Sequence, residues 1–507
     1  VAYIYAPFLA YDIYNRGSLW ESFAWAFPPL VLLGMHRWSL DRDRRYLIAG
    51  VAALAAMIVT HYPFAFLFAP VFLLWALVQG YLRRSWAVVG RAALLGALGL
   101  GVTAFFWVPA LLERSLIQTG RLLGTWVFDY HHNFLPFSHL LALPRRADPA
   151  LINDWPEKSL GLVPLLVALL PALGWRSLGR RRQIRWQLGT LWVLVAGLSA
   201  LTLPLSLWVW EHVPLLSFVQ FPWRYLGPAA FCLALLAGAV PGALTTPRAL
   251  AESGRDPRFL GWVTAASICV LVVANLGWFY PSSCSVPGNL TVEGIIRWER
   301  LTDTLGTTAK GEYLPIWVER FPDVTLDDQY AAGEEIVRLR LEDLPVGATI
   351  SRATYGALRA EIALETPEAF TARYLAFYYP GWRVRVDGAV VPVMPEAETG
   401  LLTFDVPAGA HVIEVAFAET PLRWAGDGVS VVSVLVLVVL VGWGKALAMS
   451  SREAGDDASN DGDGLSTVAW RLLGVAVILI VAKELLVDDL GVLWRSSRWD
   501  GADVVSG

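Results

Sequence analysis

Ten apolar stretches of about 16 to 25 residues recur along the chain, each close to the length a helix needs to cross the roughly 30 Å hydrocarbon core of a bilayer. They predict helices over residues 21–35, 46–60, 63–81, 88–112, 160–175, 186–203, 226–243, 259–279, 429–447 and 467–487. The arginines fall in alternate gaps, HRWSLDRDRR, YLRRSW, RSLGRRRQIR, TTPRALAESGRDPR and GKALAMSSRE. Because basic loops stay on the cytoplasmic side, residues 6–20, 61–62, 113–159, 204–223 and 281–427 are expected to face outward. Val1 to Leu9 is apolar from its first residue, without a basic leader, and reads as the end of a membrane helix that begins before Val1.

The long outer segment has a different period. From about Asp323 apolar residues alternate with polar ones, as in Trp382-Arg383-Val384-Arg385-Val386, which is followed by Asp387-Gly388 and a second run. Asp-Gly between two alternating runs predicts a two-residue hairpin turn, since both central positions need positive φ. A further strand pair is expected at Leu401–Val406 and His411–Ala418, flanking Pro407 to Ala410. The expected fold is therefore a polytopic α-helical membrane protein of about ten spans with an extracytoplasmic antiparallel β-sandwich. Its domains are 1–280 as a helical bundle, 281–427 as the outer domain and 428–507 as a closing helix pair. The acidic, Gly-rich 453–464 reads as a disordered cytoplasmic loop.

Composition sharpens this reading. The 507 residues are 56% hydrophobic and 17% charged, with a mean hydropathy of +0.50 and 24 Trp, too apolar for a soluble domain of this length. A net charge of −4 gives no reason to expect a nucleic-acid partner. Cys232, Cys269 and Cys284 form neither a disulfide framework nor a zinc pattern. The ionisable residues near the apolar runs, Arg91, Lys445, Arg471, Lys483 and Glu484, fall near helix ends, which disfavours an ion-coupled transporter. Walker loops and a Gly-x-Ser-x-Gly elbow are absent from the sequence.

Polar chemistry gathers in the outer loops. Asp12, Arg16 and Glu21 fall within ten residues, so either acid can serve as general base or metal ligand and Arg16 can grip a phosphate bidentately. Simple pairing at the headgroup level is the competing account. Glu113 and Arg114 follow Trp107-Val108-Pro109, and His131 and His132 follow Asp129, a grouping suited to a proton shuttle or one metal ligand. His61 sits in a two-residue turn, where it is either an outward acid–base group or a cap. Arg224 lies among aromatics in QFPWRYLG, placed to bind a lipid phosphate or to stack on Trp223. Trp382, Tyr378 and Tyr379 offer either a sugar platform or a sandwich core.

DIYNRGSLWE (12–21), WVPALLE (107–113), FDYHHNFLPFSHLL (128–141), QFPWRYLG (220–227) and YYPGWRVRVDG (378–388) occur in an order that resembles bacterial membrane proteins labelled 6-pyruvoyl-tetrahydropterin synthase-related. The chain also resembles, more distantly, YfhO-like members of the GT-C glycosyltransferase group. No three-histidine zinc site is present, so pterin chemistry is not expected. The GT-C resemblance implies a sugar transferred from a polyprenyl-phosphate donor on the outer face of the bacterial cytoplasmic membrane, with an early-loop acid as base or ligand of a divalent metal. On that basis Asp12, Glu21 and Glu113 are the expected acids, Arg16, Arg114 and Arg224 the donor-phosphate ligands, and His61 and His131 further substrate contacts. Membrane lipid is the expected surrounding partner. A non-enzymatic lipid-glycan flippase or envelope-assembly protein is the alternative.

Overall fold

The computed structural model describes residues 1–123, 125–143, 158–173, 182–214, 216–240, 257–279, 291–302, 311–323 and 325–452. The expected helix 467–487, the loop 453–464 and Cys284 lie outside these residues. The chain is mostly helical, with a separate antiparallel β region, and it divides into two compact units. The first gathers the described parts of Val1–Thr103, Thr125–Ser285 and Ser430–Leu473, the second those of Ala104–Gly124 and Val286–Val429.

The first unit begins with a buried helical turn, Pro7–Ala10, that widens into a π-type turn over Tyr11–Asn15. Then follow α1 (Leu19–Ala24), α2 (Pro28–Asp41), α3 (Arg44–Thr60), α4 (Tyr62–Arg83) and α5 (Trp86–Val102). Local chemistry sets several ends: Asp43 caps α3 by accepting from the Arg45 amide at 3.0 Å. Left-handed Arg42 and Arg84 terminate α2 and α4. Helices α2 and α3 approach closely because Gly34 faces Gly50; a methyl built on Gly34 would lie 2.5 Å from the Gly50 Cα.

The expected span 21–35 is broken between α1 and α2, where Pro28 and Pro29 start a new helix. The expected span 88–112 is a sharply bent pair, α5 and α6 (Ala104–Leu112), interrupted at Thr103. There the Thr103 hydroxyl donates to the Gly99 carbonyl at 3.0 Å. The bundle continues with α7 (Leu162–Leu173), α8 (Arg182–Leu201), α9 (Leu226–Gly238) and α10 (Pro257–Asn275).

Among the described residues three helices are long and apolar enough to cross a membrane, Tyr62–Arg83, Arg182–Leu201 and Pro421–Gly442, or four with the bent pair as one span. That corrects the expected count of ten. Of the other apolar runs, the one at α9 gives a helix of only 13 residues, which at 1.5 Å per residue reaches about 20 Å.

The second unit holds α6, α11 (Val292–Thr302), α12 (Asp327–Ala332) and eight strands; α13 (Pro421–Arg452) begins in this unit. Strands β1 (Thr349–Tyr355), β2 (Arg359–Thr366), β4 (Trp382–Val386), β5 (Ala389–Val391) and β8 (Gly409–Phe417) form one sheet in the order β1-β2-β8-β4-β5. A second sheet has β3 (Phe370–Phe377), β7 (Leu401–Val406) and β6 (Met394–Pro395) in the order β3-β7-β6. All pairings are antiparallel. Ile362, Val384, Ile413 and Val415 of the first sheet share one core with Tyr374, Leu402 and Phe404 of the second, the inward alternation of a sandwich.

The Asp387-Gly388 turn joins β4 to β5 with φ of 52° and 81°, as its residues require. By contrast, β7 and β8 are not a pair: they belong to different sheets, with the chain crossing over at Pro407-Ala408. Alternation alone cannot tell a hairpin from a strand that changes sheet.

Candidate functional site

The first loop folds so that Asp12 and Arg16 face one another. In the π-type turn the Arg16 amide bonds back to the Tyr11 carbonyl at 3.0 Å, and Gly17 then reverses the chain at φ 64° into α1. Arg16 Nη1 donates to Asp12 Oδ1 at 2.8 Å and also to Glu21 Oε2, so one guanidinium nitrogen serves two carboxylates. The other Asp12 oxygen accepts from the Trp25 indole at 3.2 Å. Asp12 and Glu21 are both fully buried.

Two further elements deliver basic side chains. His61, extended between α3 and α4, brings Nε2 to 3.9 Å from Glu21 Oε2. Arg224 enters from the turn Pro222–Tyr225 that opens α9, with Nε 3.8 Å from the same oxygen and Nη1 donating to the Val219 carbonyl at 3.1 Å. Trp223 packs beside them. Its ring centre lies 5.1 Å from the Arg16 guanidinium carbon and 5.2 Å from the Lys158 Nζ, and Lys158 is also 5.2 Å from the Tyr11 ring. Glu21 Oε1, Arg224 Nε and His61 Nδ1 are buried and make no hydrogen bond among the described residues.

Burial, and then the neighbouring Glu21 charge, raise the Asp12 carboxyl to about 7 against the opposing pull of Arg16. Burial also works against the Glu21 carboxylate, but Arg224, Arg16 and His61 outweigh it and hold that group below the ordinary range. Burial lowers His61 to about 4, so its ring is neutral near pH 7. Burial and the nearby Arg16 lower the Lys158 ammonium. The cluster therefore gathers three basic side chains, Arg16, Arg224 and Lys158, around two acids and the Trp223 ring, and one of the acids titrates near neutrality.

Of the residues expected from the sequence, Asp12, Arg16, Glu21, His61 and Arg224 come together here. Glu113 and Arg114 belong to the second unit, where Glu113 accepts from Arg423 Nη2 at 2.9 Å and Nε at 3.2 Å. Tyr379 also bonds to Glu113, and burial followed by the Glu113 charge pushes its hydroxyl up to about 12. His131 is exposed and turns to Asp129 at 2.6 Å, in a cap that the His131 amide completes. Of the proposed sugar platform, Trp382 and Tyr378 pack against the sandwich core. Among the described residues no group of three or more His, Cys, Asp or Glu side chains is arranged to hold a metal.

Lys158, Trp25 and Trp223 are additions that residue type alone did not single out as ligands. Behind the cluster, the Tyr3 hydroxyl donates to the Trp25 carbonyl at 2.7 Å. Tyr3 in turn lines an apolar cavity of about 380 Å³ with Pro29, Val167, Phe231 and Leu271. No family model and no curated protein matches the chain.

Proposed function

We propose that this chain is a multi-pass protein of the bacterial cytoplasmic membrane, similar to the 6-pyruvoyl-tetrahydropterin synthase-related and YfhO-like proteins. In this reading it transfers a sugar from a polyprenyl-phosphate donor at the outer face, where the first loop and the β-sandwich lie. The observation that carries the proposal is the buried acid pair held by Arg16 and Arg224, with Lys158 over the rings of Trp223 and Tyr11 beside them, one more basic group than acids. An incoming phosphate supplies the missing anion. The apolar cavity behind Trp25 offers room for part of the lipid tail.

Arg16 is shared between Asp12 and Glu21 before donor binds, so a donor phosphate competes for it and releases the Asp12 carboxylate. Asp12 then takes the proton of the acceptor hydroxyl. The acceptor oxygen bonds to the anomeric carbon, and the bond from that carbon to the phosphate oxygen breaks, with the electron pair leaving on polyprenyl phosphate. A carboxylate that titrates near 7 is suited to that proton transfer at neutral pH. Glu21 holds Arg16, Arg224 and His61 in place.

Purified protein in lipid nanodiscs, given a polyprenyl-phosphate sugar, should release polyprenyl phosphate. Asp12→Asn should slow the release by about 10²- to 10⁴-fold. Undiminished release by Asp12→Asn removes the acid from the reaction. A second reading, a non-enzymatic lipid-glycan binder or flippase, draws on the complete burial of both carboxylates. Donor binding that Arg224→Ala abolishes, with no release by the unmodified chain, would decide for it.

A further inference from the structure

Helix α11 (Val292–Thr302) presents an apolar stripe that the described residues of the second unit leave exposed. Ile295, Trp298 and Leu301 recur every three residues and are 47, 56 and 76% exposed. Ile296 and Glu299, on the neighbouring face, are half-buried. The helix is held to α12 by Arg300, whose Nη2 donates to Asp327 at 2.9 Å. Its polar flank carries Glu293 and Arg297. Short soluble helices bury such a stripe, because helix stability at this length comes from packing rather than from propensity.

We propose that this stripe lies in the headgroup and upper acyl layer of the bilayer, making α11 an in-plane anchor of the second unit. Three observations select lipid as the occupant. First, the chain itself brings a bilayer, since Tyr62–Arg83, Arg182–Leu201 and Pro421–Gly442 are long and apolar enough to span one. Second, Val292 follows Asn275, the end of apolar α10, by 17 residues, and a chain of that length reaches at most about 60 Å. Third, the stripe pairs aliphatic side chains with a central Trp, the residue that favours the headgroup layer. The helix holds two Glu and two Arg, so burial of the apolar face rather than attraction to anionic lipid drives the contact. The inference rests on the membrane reading of the chain and not on sugar transfer.

The test uses the full chain in phosphatidylcholine nanodiscs with Cys232, Cys269 and Cys284 replaced by Ala. Single cysteines at Ile295, Trp298, Leu301 and Arg297 are labelled with an environment-sensitive NBD group. The labels at 295, 298 and 301 should emit to the blue and be quenched about twofold or more by lipids carrying a nitroxide near the headgroup, while the label at 297 stays water-like. All four labelled positions are exposed, while Cys232→Ala alters a buried position, and matched elution profiles of the cysteine-free and unmodified chains check that the fold is kept. Water-like emission at all four sites overturns the proposal. Blue-shifted emission that nitroxide lipids leave unquenched also overturns it, by showing that protein covers the stripe. Loss of donor turnover with quenching intact would sink the transferase reading and leave this one standing.

Discussion

The Trp25 indole donates its hydrogen to Asp12 Oδ2 at 3.2 Å, so a fully buried acid of the first unit is held by a side chain from outside its own loop. Asp12 thus has both oxygens engaged, one by Arg16 and one by Trp25. The acid's environment is set by three segments at once: the first loop, the break after α1, and the turn carrying Trp223 and Arg224.

Arg16 is the shared counter-charge of that environment. Arg16→Ala leaves two buried carboxylates facing each other and should cost about 3–5 kcal/mol. Thermal unfolding in detergent should show it as a large drop in midpoint. Adding Asp12→Asn and Glu21→Gln to the same chain should recover much of the loss, because the charges to be neutralised are gone. A triple variant no more stable than Arg16→Ala would show that Arg16 acts through packing.

Asp12 gives the protein a pH signature. An acid whose folded pKa is raised binds a proton more tightly in the folded chain, so its contribution to stability is complete below the unfolded value. It is lost as pH rises toward the folded value of about 7. Glu21 is lowered, so its contribution changes only below that window. His61, lowered from 6.5 to about 4, adds the opposite slope up to about pH 6.5, so the Asp12 contribution is read in a His61→Gln chain, where the unfolding midpoint should fall between about pH 4 and pH 7 and then level off. Asp12→Asn should flatten that slope; an unchanged slope would place the titrating group elsewhere.

In the second unit Arg423 makes two hydrogen bonds to Glu113 and one to the Pro380 carbonyl at 3.2 Å. Arg423→Ala should destabilise that unit by about 2–3 kcal/mol, since the stranded Glu113 is largely shielded from water. Arg423→Lys should recover only part, because an ammonium cannot reproduce the two-point contact. Hydrogen exchange resolved along the sandwich would detect both effects.

Gly34 tests the packing of α2 on α3. A Cβ there meets backbone atoms of Gly50 and Tyr46 at 2.5 to 2.8 Å, and backbone cannot rotate aside as a side chain can. Gly34→Ala should cost about 1–3 kcal/mol, whereas Gly90→Ala, which meets nothing within 4 Å, should be neutral or slightly stabilising. Equal midpoints for the two variants would contradict the close approach.

Several of these features are legible in the sequence, and for identifiable reasons. Asp12, Arg16 and Glu21 sit within one turn and its continuation, so their meeting needs no long-range folding. Arg224 was marked by its aromatic neighbours. The Asp387-Gly388 turn is dictated by two residues that tolerate positive φ. Lys158 was not legible, because nothing local ties it to a tryptophan 65 positions later. The pairing of Glu113 was not legible either, because its partner Arg423 is 310 residues away. The span count failed because hydropathy records apolar length but not where Pro28 or Thr103 divides the helix. The β7 and β8 strands were rightly located yet wrongly joined, since alternation fixes a strand's faces and not its neighbours.

Trp25 has two polar ties, its indole to Asp12 and its carbonyl to Tyr3, whose ring walls the apolar cavity. These ties put the cavity wall and the acid one residue apart, so a hydrophobic guest that shifts Tyr3 is expected to change how readily Asp12 gives up its proton, and by reciprocity acidity to change how tightly the guest is held. Affinity for an apolar guest measured across the neutral range, with Trp25→Phe as the uncoupled control, would read the size of that linkage directly.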